Sequence, residues 1–276
     1  MRSRRSSKAL ASSIVVLATV SCATARPPLN PGPEIAMTIP SESGPAAVLT
    51  GDTSGLLDAA QRLCTHLTSV AQKRLGYDLA AQALSANPKD PRAGMTVALC
   101  AYFCADWDET EQGRARFSKA GISAAIVAGS LDKQPRAAYY HALVLGIAMR
   151  DAGLDALGKL SELTTMLKAA GAAPDEDLGG PRRVLGKLYL QAPPWPLGIG
   201  DVDAALESLK EAVDRYPSHP MNHIFYAEAL LSEDRFDEAA RELALAHRLA
   251  LPELWGDYAA RWQAEATILE EKIRKP

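Results

Sequence analysis

The sequence predicts an all-α protein of stacked antiparallel helical hairpins, an α-solenoid of about eleven helices. From Leu56 onward, apolar residues recur at the 3.6-residue spacing of a helix, and no segment alternates with the period of two that marks a β-strand. Prolines and glycines cut this pattern at intervals typical of short helices. Aromatic residues make up only 6% of the chain while alanine and leucine dominate, which favours closely packed helices over sheets.

The first 21 residues have the organisation of a bacterial export signal. Four basic residues precede the apolar stretch Ala9 to Val20, which is too short to span a bilayer as a mature helix. The run Val20-Ser21-Cys22 resembles a lipoprotein processing site, and Cys22 would then carry the lipid anchor. The alternative is cleavage by signal peptidase after Ala25.

Residues 22–55 predict a tether, because six prolines between Pro27 and Pro45 keep such a segment extended. Residues 56–276 are the predicted helical domain. Ala23 stands where an inner-membrane lipoprotein has Asp, which favours the outer membrane of a Gram-negative bacterium, facing the periplasm. The lipid anchor is the expected membrane contact, since the domain has no second apolar run long enough to span a bilayer.

The net charge argues against a nucleic-acid partner. Residues 1–21 contain four basic and no acidic residues, so their removal changes the net charge from −3 to about −7. No basic patch is then left to neutralise phosphates.

The remaining cysteines, Cys64, Cys100 and Cys104, have three interpretations. Reduced packing in the core is favoured; a disulfide from Cys64 to Cys100 or Cys104 is the alternative in an oxidising compartment. A metal site is disfavoured, because Cys100 and Cys104 have no second ligand pair nearby.

Helix breakers define the elements. Prolines after Asn87, Gln134, Tyr216 and Leu251 end helices, and Asp201 is placed to cap one. The last helix is predicted to cap the final hairpin through Trp255, Tyr258 and Trp262. The predicted helices lie near residues 56–74, 77–86, 92–106, 109–131, 135–151, 154–170, 180–191, 201–215, 220–232, 235–249 and 253–272.

The C-terminal third resembles two tetratricopeptide units. Small residues stand where the two helices of a unit would cross closely, and a proline follows the second helix. The first unit shows Leu185, Gly186, Tyr189, Ala205, Leu209, Ala212 and Pro217; the second shows His223, Tyr226, Ala227, Leu230, Phe236, Ala239, Leu243, Ala246 and Pro252.

The first of these units contains an insertion. Gly186 and Ala205 are 19 residues apart, whereas the equivalent residues of a regular repeat are about 12 apart. The extra residues surround Pro193-Pro194-Trp195-Pro196, and they predict a stiff loop between the two helices rather than a broken helix.

A more specific resemblance covers the same region. Residues 180–196 read GPRRVLGKLYLQAPPWP and are followed by Gly200-Asp201 and Ala205-Leu206. The run is similar to the T component of TRAP-type periplasmic transporters, a family of helical-repeat lipoproteins. The resemblance implies a cavity or pore for a hydrophobic small molecule and a docking surface for the transporter's substrate-binding subunit; self-association into a homo-oligomer is left open.

The predicted binding residues lie in or near the inserted loop. Trp195 is expected to line a ligand cavity or anchor a partner, with Leu197 and Ile199 on the same rim and with Tyr189 and Arg183 on the preceding helix. The alternative for Trp195 is a wedge between hairpins. The favoured position for Arg182 and Arg183 is the surface beside a helix start.

No motif predicts catalysis, a cofactor or a metal. The five histidines have no nucleophile or carboxylate in a recognisable motif, and no phosphate-binding glycine loop is present. Pro220 separates His219 from the helix that holds His223, so a two-histidine metal site is disfavoured. The acidic run from Asp106 to Glu111 is interpreted as a solvated helix start. The alternative function is a tetratricopeptide adaptor for envelope assembly without a ligand cavity.

Overall fold

The computed structural model describes residues 52–132 and 135–274, so the export signal, Cys22 and the tether up to residue 51 lie outside it. The described residues form twelve α-helices, a 3-10 segment at Gly153–Lys159 and no strand. None of these helices is long and apolar enough to cross a membrane. The helices are α1 (Thr53–Leu63), α2 (Val70–Ala86), α3 (Pro91–Trp107), α4 (Glu111–Asp132), α5 (Pro135–Ala152), α6 (Leu160–Ala170), α7 (Gly180–Gln191), α8 (Val202–Arg215), α9 (Pro220–Ser232), α10 (Phe236–Leu249), α11 (Pro252–Trp255) and α12 (Asp257–Arg274).

Consecutive helices pack as hairpins, which confirms the predicted fold class. From α1 to α10 each helix contacts the next one, and α3 also contacts α1 and α5, as α9 contacts α7. Gly186 shows why small residues are needed where α7 crosses α8: a Cβ there would lie 2.5 Å from Leu209 Cγ. From α1 to α10, the odd-numbered helices thus form the inner layer of the solenoid and the even-numbered helices form the outer layer.

The first predicted helix boundary was wrong. The chain leaves the helix at Cys64 and re-enters it at Val70, where Ser69 and Gln72 form a reciprocal capping box. Gly76, which falls between the predicted helices 56–74 and 77–86, lies inside α2. It is needed for packing, because a Cβ at this position would lie 2.6 Å from Cys64 Sγ.

A disulfide joins Cys64 to Cys100, 36 residues later, and ties the end of α1 to the middle of α3. The favoured prediction of reduced core cysteines was therefore wrong for this pair. The two Cα atoms are 5.2 Å apart, within the range that a disulfide requires. Cys104, one turn further along α3, packs with Phe117 and Ile147 and remains a buried thiol, and burial raises its pKa to about 12.

The C-terminal helix confirms the predicted packing on the last hairpin and also extends beyond it. α12 contacts α9 and α10, and Tyr258 and Trp262 are buried. Its side chains continue across the inner layer to α3, where Tyr258 and Arg261 bond to Asp106. Gly256, with φ of +56°, separates α11 from α12 and lies against the backbone at His66. The inner side of the solenoid is thus filled by the chain's own last helix.

Candidate functional site

The inner layer encloses a small central cavity of about 60 Å³. Its walls come from α3, α5, α7, α9 and α12, from the segment between α1 and α2, and from the loop before α7. Six acidic, basic or histidine side chains line it: His66, Asp106, Asp177, Arg183, His219 and Arg261. The central cavity is therefore polar in part, although aromatic and aliphatic side chains complete its surface.

The first carboxylate of the cavity is held between α3 and α12. The Arg261 guanidinium donates two hydrogen bonds to Asp106, with Nη1–Oδ2 at 2.9 Å and Nη2–Oδ1 at 3.2 Å. The Tyr258 hydroxyl donates a third, to Oδ2 at 2.9 Å. Because both charged side chains are buried, this two-point pair fixes the position of α12 in the interior. Asp106 is thus not the solvated residue that the sequence analysis expected.

The second carboxylate is held from α5 and α7. The Tyr139 hydroxyl donates to Asp177 Oδ2 at 2.8 Å, and Arg183 Nη2 forms an ion pair with the same oxygen. Burial lowers the pKa of Arg183, but the Asp177 charge together with Tyr139 and Tyr102 outweighs burial, and the pKa is raised above its ordinary value. Gly180 leaves room for this arrangement, because a Cβ there would collide with the Tyr139 hydroxyl.

The loop that presents Asp177 is conformationally strained. Asp177, Leu178 and Gly179 have φ of 51°, 48° and 88°, and the first two are non-glycine residues in the left-handed region. Asn222, which is fully buried on α9, donates to the Leu178 carbonyl at 3.1 Å and accepts from Arg183 Nη1 at 2.8 Å. Side chains of the inner layer thus hold the loop in a conformation that places a carboxylate in the cavity.

His219 presents an N–H group to the cavity. Its Nδ1 accepts a hydrogen bond from the Met221 backbone N–H at 3.2 Å, so in the neutral ring the proton resides on Nε2. His219 is 1% exposed, and Nε2 has no hydrogen-bond partner among the described residues. Burial, followed by the Arg183 charge, lowers its pKa well below the ordinary value, so the ring is neutral at physiological pH.

His66 faces the same carboxylate from the other side. Its Nε2 lies 4.0 Å from Asp177 Oδ1, and His219 Nε2 lies 3.8 Å from that oxygen. The His66 ring packs edge-on against Phe103, Trp255 and Tyr258. Burial lowers the pKa of His66 as well.

Two histidines and one carboxylate could suggest a metal site. No group of potential metal ligands was found in the part of the chain that the structure describes. The chemistry agrees, because a metal on His219 Nε2 would require the proton on Nδ1, where the Met221 N–H already donates. The cluster is therefore suited to hydrogen bonding rather than to metal coordination.

The predicted binding residues separate into two places. Arg183 lies in the central cavity and is 5% exposed, so the expectation of a surface position for it was wrong. Arg182 does lie near the surface and pairs with Glu211 at 3.1 Å. Tyr189 is half-buried, and its carbonyl accepts from Asp201 N–H at 3.0 Å, where the inserted loop ends.

The inserted loop projects its apolar side chains into solvent. Trp195 is 85% exposed and Leu197 76% exposed, whereas Ile199 is half-buried against the core. This exposure does not fit the wedge alternative for Trp195. The loop, which contains a cis Trp195-Pro196 bond, is closed by a hydrogen bond from Gly200 N–H to the Pro193 carbonyl at 2.8 Å.

Sequence reasoning missed most of the cavity. Asp106 carried a usable signal, since it is a lone carboxylate near the end of a helix that is otherwise apolar from Ala93 to Cys104. His219 and Asn222 were visible in the run His219-Pro220-Met221-Asn222, where a polar residue before Pro predicts a cap. Tyr258 and Arg261 gave no local signal, because their partner is more than 150 residues away.

Comparison with known proteins supports the repeat fold. A tetratricopeptide repeat family model matches residues 197–251, beginning immediately after the exposed Trp195. Among solved structures, a thermophilic tetratricopeptide protein of Thermus thermophilus is similar, with a TM-score of 0.58 and 20% identity, covering 79% of this chain and 100% of that one. Yeast Tom70 matches with a TM-score of 0.30 and 12% identity over 83% of this chain and 68% of that one, too low to carry an argument. No curated protein matches the sequence. The chain thus has a tetratricopeptide-type helical fold, and the T-component resemblance stays a prediction.

Proposed function

We propose that this chain is a non-enzymatic, lipid-anchored protein of the bacterial cell envelope that docks a protein partner through its inserted loop. The partner proposed, on the resemblance of residues 180–217, is the substrate-binding subunit of a TRAP-type transporter. The central cavity is the place for a small ligand in the same proposal.

The exposure of Trp195 is the observation that carries the docking proposal. Its side chain is 85% exposed and stands beside Leu197, which is 76% exposed. Large apolar side chains with this exposure are typical of sites that become buried in a complex, and Trp is among the residues that contribute most to binding energy. The hydrogen bond between Gly200 and Pro193 restrains the loop, so little conformational entropy is lost when a partner orders it.

The position of α12 favours this outer surface over the inner one. Helical solenoids commonly bind partners along their concave side. In this chain Tyr258, Arg261 and Trp262 occupy that side and are buried there. A partner is therefore expected on an outer feature, such as the inserted loop.

Two features support a location in the envelope. The Cys64–Cys100 disulfide is suited to an oxidising compartment such as the bacterial periplasm. The export-like N-terminus places the proposed anchor at Cys22, with the outer membrane as its destination. Labelling with radioactive fatty acid tests the anchor, and a Cys22→Ser variant that incorporates the label equally would contradict it.

The docking proposal is tested with the mature lipoprotein in detergent and a purified TRAP-type substrate-binding subunit of the same organism. Surface plasmon resonance measures Kd for wild type and for Trp195→Ala. We expect Trp195→Ala to weaken binding at least about 30-fold, the effect of losing an aromatic hot spot of about 2 kcal/mol. Its unfolding temperature should stay that of the wild type, because the side chain is exposed in the free protein.

Leu75→Ala is the matched control. Leu75 is an exposed apolar residue on α2, at 52% exposure, and lies outside the inserted loop. Equal affinities for the wild type and Trp195→Ala would refute the loop as the docking site. A wild type that does not bind the subunit would refute the TRAP partner and favour the second candidate, an adaptor in envelope assembly, which the tetratricopeptide fold supports.

A further inference from the structure

Polar atoms of three side chains converge in one corner of the central cavity. His219 Nε2 and His66 Nε2 lie 3.8 Å and 4.0 Å from Asp177 Oδ1. These separations are too long for direct hydrogen bonds. They allow two neighbouring polar groups of one ligand, lying beside the three side chains in the cavity, to contact the histidines and the carboxylate.

The corner offers one assigned donor and one acceptor. His219 Nε2 carries a proton, because Nδ1 accepts from the Met221 N–H. Asp177 Oδ2 already accepts from Tyr139 and pairs with Arg183, which leaves Oδ1 to face the two rings. A ligand that satisfies both groups must accept one hydrogen bond and donate another. Hydroxyl groups do both, whereas a carboxylate has no proton to donate and an ammonium group has no lone pair to accept.

The charges of the cavity select against an anion. Arg183 is paired with Asp177, and Arg261 is paired with Asp106 through two hydrogen bonds. An anionic ligand would have to displace one of these carboxylates from its arginine at the cost of a buried ion pair. The two histidines add no positive charge while their rings are neutral.

The size and walls of the cavity limit the ligand further. A volume of about 60 Å³ holds about four to six waters, which corresponds to a polyol of about three or four carbons. Phe225 and Trp262 present aromatic surface to the same space. Such surface packs against the C–H groups of a polyol while its hydroxyls reach the polar corner.

We propose that the central cavity binds a small neutral polyol through His219, His66 and Asp177. One hydroxyl accepts from His219 Nε2, and a neighbouring hydroxyl donates to Asp177 Oδ1. This inference rests on the ligand part of the proposed function, replaces the hydrophobic ligand that the resemblance implies by a polar one, and is independent of docking at the inserted loop.

The test uses ¹⁵N-labelled mature lipoprotein in detergent micelles. Long-range ¹H–¹⁵N spectra follow the imidazole nitrogens while glycerol or erythritol is added, with succinate as the anionic probe and 1-butanol as the apolar probe. We expect saturable shifts of His219 and His66 with a polyol only. His219→Asn should weaken binding at least about tenfold, because Asn retains the N-cap at Met221 but does not reach the cavity corner.

His66→Phe is the second variant, since it keeps an aromatic ring against Phe103 and Tyr258 and removes only the nitrogens. His66→Phe should also weaken polyol binding. If His219→Asn fails to fold, the result with His66→Phe decides the test. Trp195→Ala should bind the polyol as the wild type does, which separates this result from the docking test. Shifts with succinate or 1-butanol in place of the polyols, or no shift with any probe, would overturn the proposal.

Discussion

Single buried charges determine how the interior of this protein is arranged. Asp106 and Asp177 each accept from one tyrosine hydroxyl and pair with one arginine. Both partners of Asp106 are on α12, whereas the partners of Asp177 are on α5 and α7. Such pairs contribute little net stability over apolar packing, but removal of one partner leaves an uncompensated buried charge. They specify which helices meet in the interior.

Asp106→Asn tests this role. The substitution leaves the Arg261 charge buried without its carboxylate, so we expect a loss of about 3–5 kcal/mol in the free energy of unfolding. Urea denaturation followed by circular dichroism measures the loss. Asp58→Asn is the control, because Asp58 pairs with Arg92 on the surface and such pairs contribute at most about 1 kcal/mol. Equal effects of the two substitutions would contradict a structural role for the buried pair.

Three histidines predict sensitivity to mild acid. Burial lowers the pKa of His66, His141 and His219 in the folded protein. Below about pH 6.5 the unfolded chain binds protons that the folded protein does not, so the free energy of unfolding falls with pH by up to about 1.4 kcal/mol per unit for each histidine.

Urea midpoints at pH 7.5, 6.5 and 5.5 measure this dependence. The midpoint should fall slightly between the first two values and more steeply between the second and the third. His219→Asn should reduce the dependence, since one of the three groups no longer titrates. A wild-type midpoint that does not change across the series would show that the histidines are not held neutral by the fold.

At the scale of elements, local signals predicted the C-terminal hairpins well. α7 and α9 have the predicted bounds, because Pro181 and Pro220 lie in their first turns, the prolines of the inserted loop follow α7, and a short loop follows α9. The end of α1 at Leu63 and the start of α2 at Val70 were not predicted. Thr68 and Ser69 are weak signals for the end of a helix, whereas a glycine such as Gly76 is a stronger one. The close contact of Gly76 with Cys64 is tertiary information that no local pattern contains.

The position of α12 could not be predicted from its own sequence. Its apolar side predicted packing on the last hairpin, and that contact is present. Its polar contacts depend on Asp106, which is 155 residues from Arg261. Arg183 was predicted as a binding residue from the run at residues 180–196. Its burial also depends on distant partners, because Asp177 and Asn222 belong to other segments.

Truncation after Leu251 tests the contribution of α11 and α12. The deletion exposes the apolar inner layer and leaves Asp106 without Arg261 and Tyr258, so we expect loss of the cooperative thermal transition and aggregation of the product. Differential scanning calorimetry and size-exclusion chromatography provide the measurement.

Truncation after Ile273 is the control for that deletion, since among the described residues it removes only the exposed Arg274. It should preserve a single transition. A shorter product that remains monomeric and cooperative after removal of both helices would mean that the inner layer is stable alone.

At the scale of the whole molecule, the Cys64–Cys100 disulfide links the first hairpin to the layer that surrounds the cavity. Closing a loop of 36 residues restricts the unfolded chain, which stabilises the fold by roughly 3–4 kcal/mol in the chain-entropy model. Reduction should therefore lower the urea midpoint.

The urea midpoint of the wild type is measured with and without dithiothreitol. A variant with Cys64→Ser and Cys100→Ser should have the lower midpoint under both conditions. Cys104→Ser should respond to the reductant as the wild type does, because its thiol is not in the disulfide. A wild-type midpoint that reductant leaves unchanged would contradict the expected contribution of the bond.

The contacts of α12 also determine when the cavity can exist. Synthesis and the proposed export both proceed from the N-terminus, so the earlier hairpins can pack while the last helix has yet to emerge. Trp262 and Arg261 belong to the last helix that the structure describes, while His66, whose ring packs against Trp262, belongs to the segment between α1 and α2. A growing chain therefore has no enclosed site until α12 has been synthesised and has folded back. The proposed polyol binding therefore requires a completed chain, and chains that end before α12 are expected not to bind the polyol.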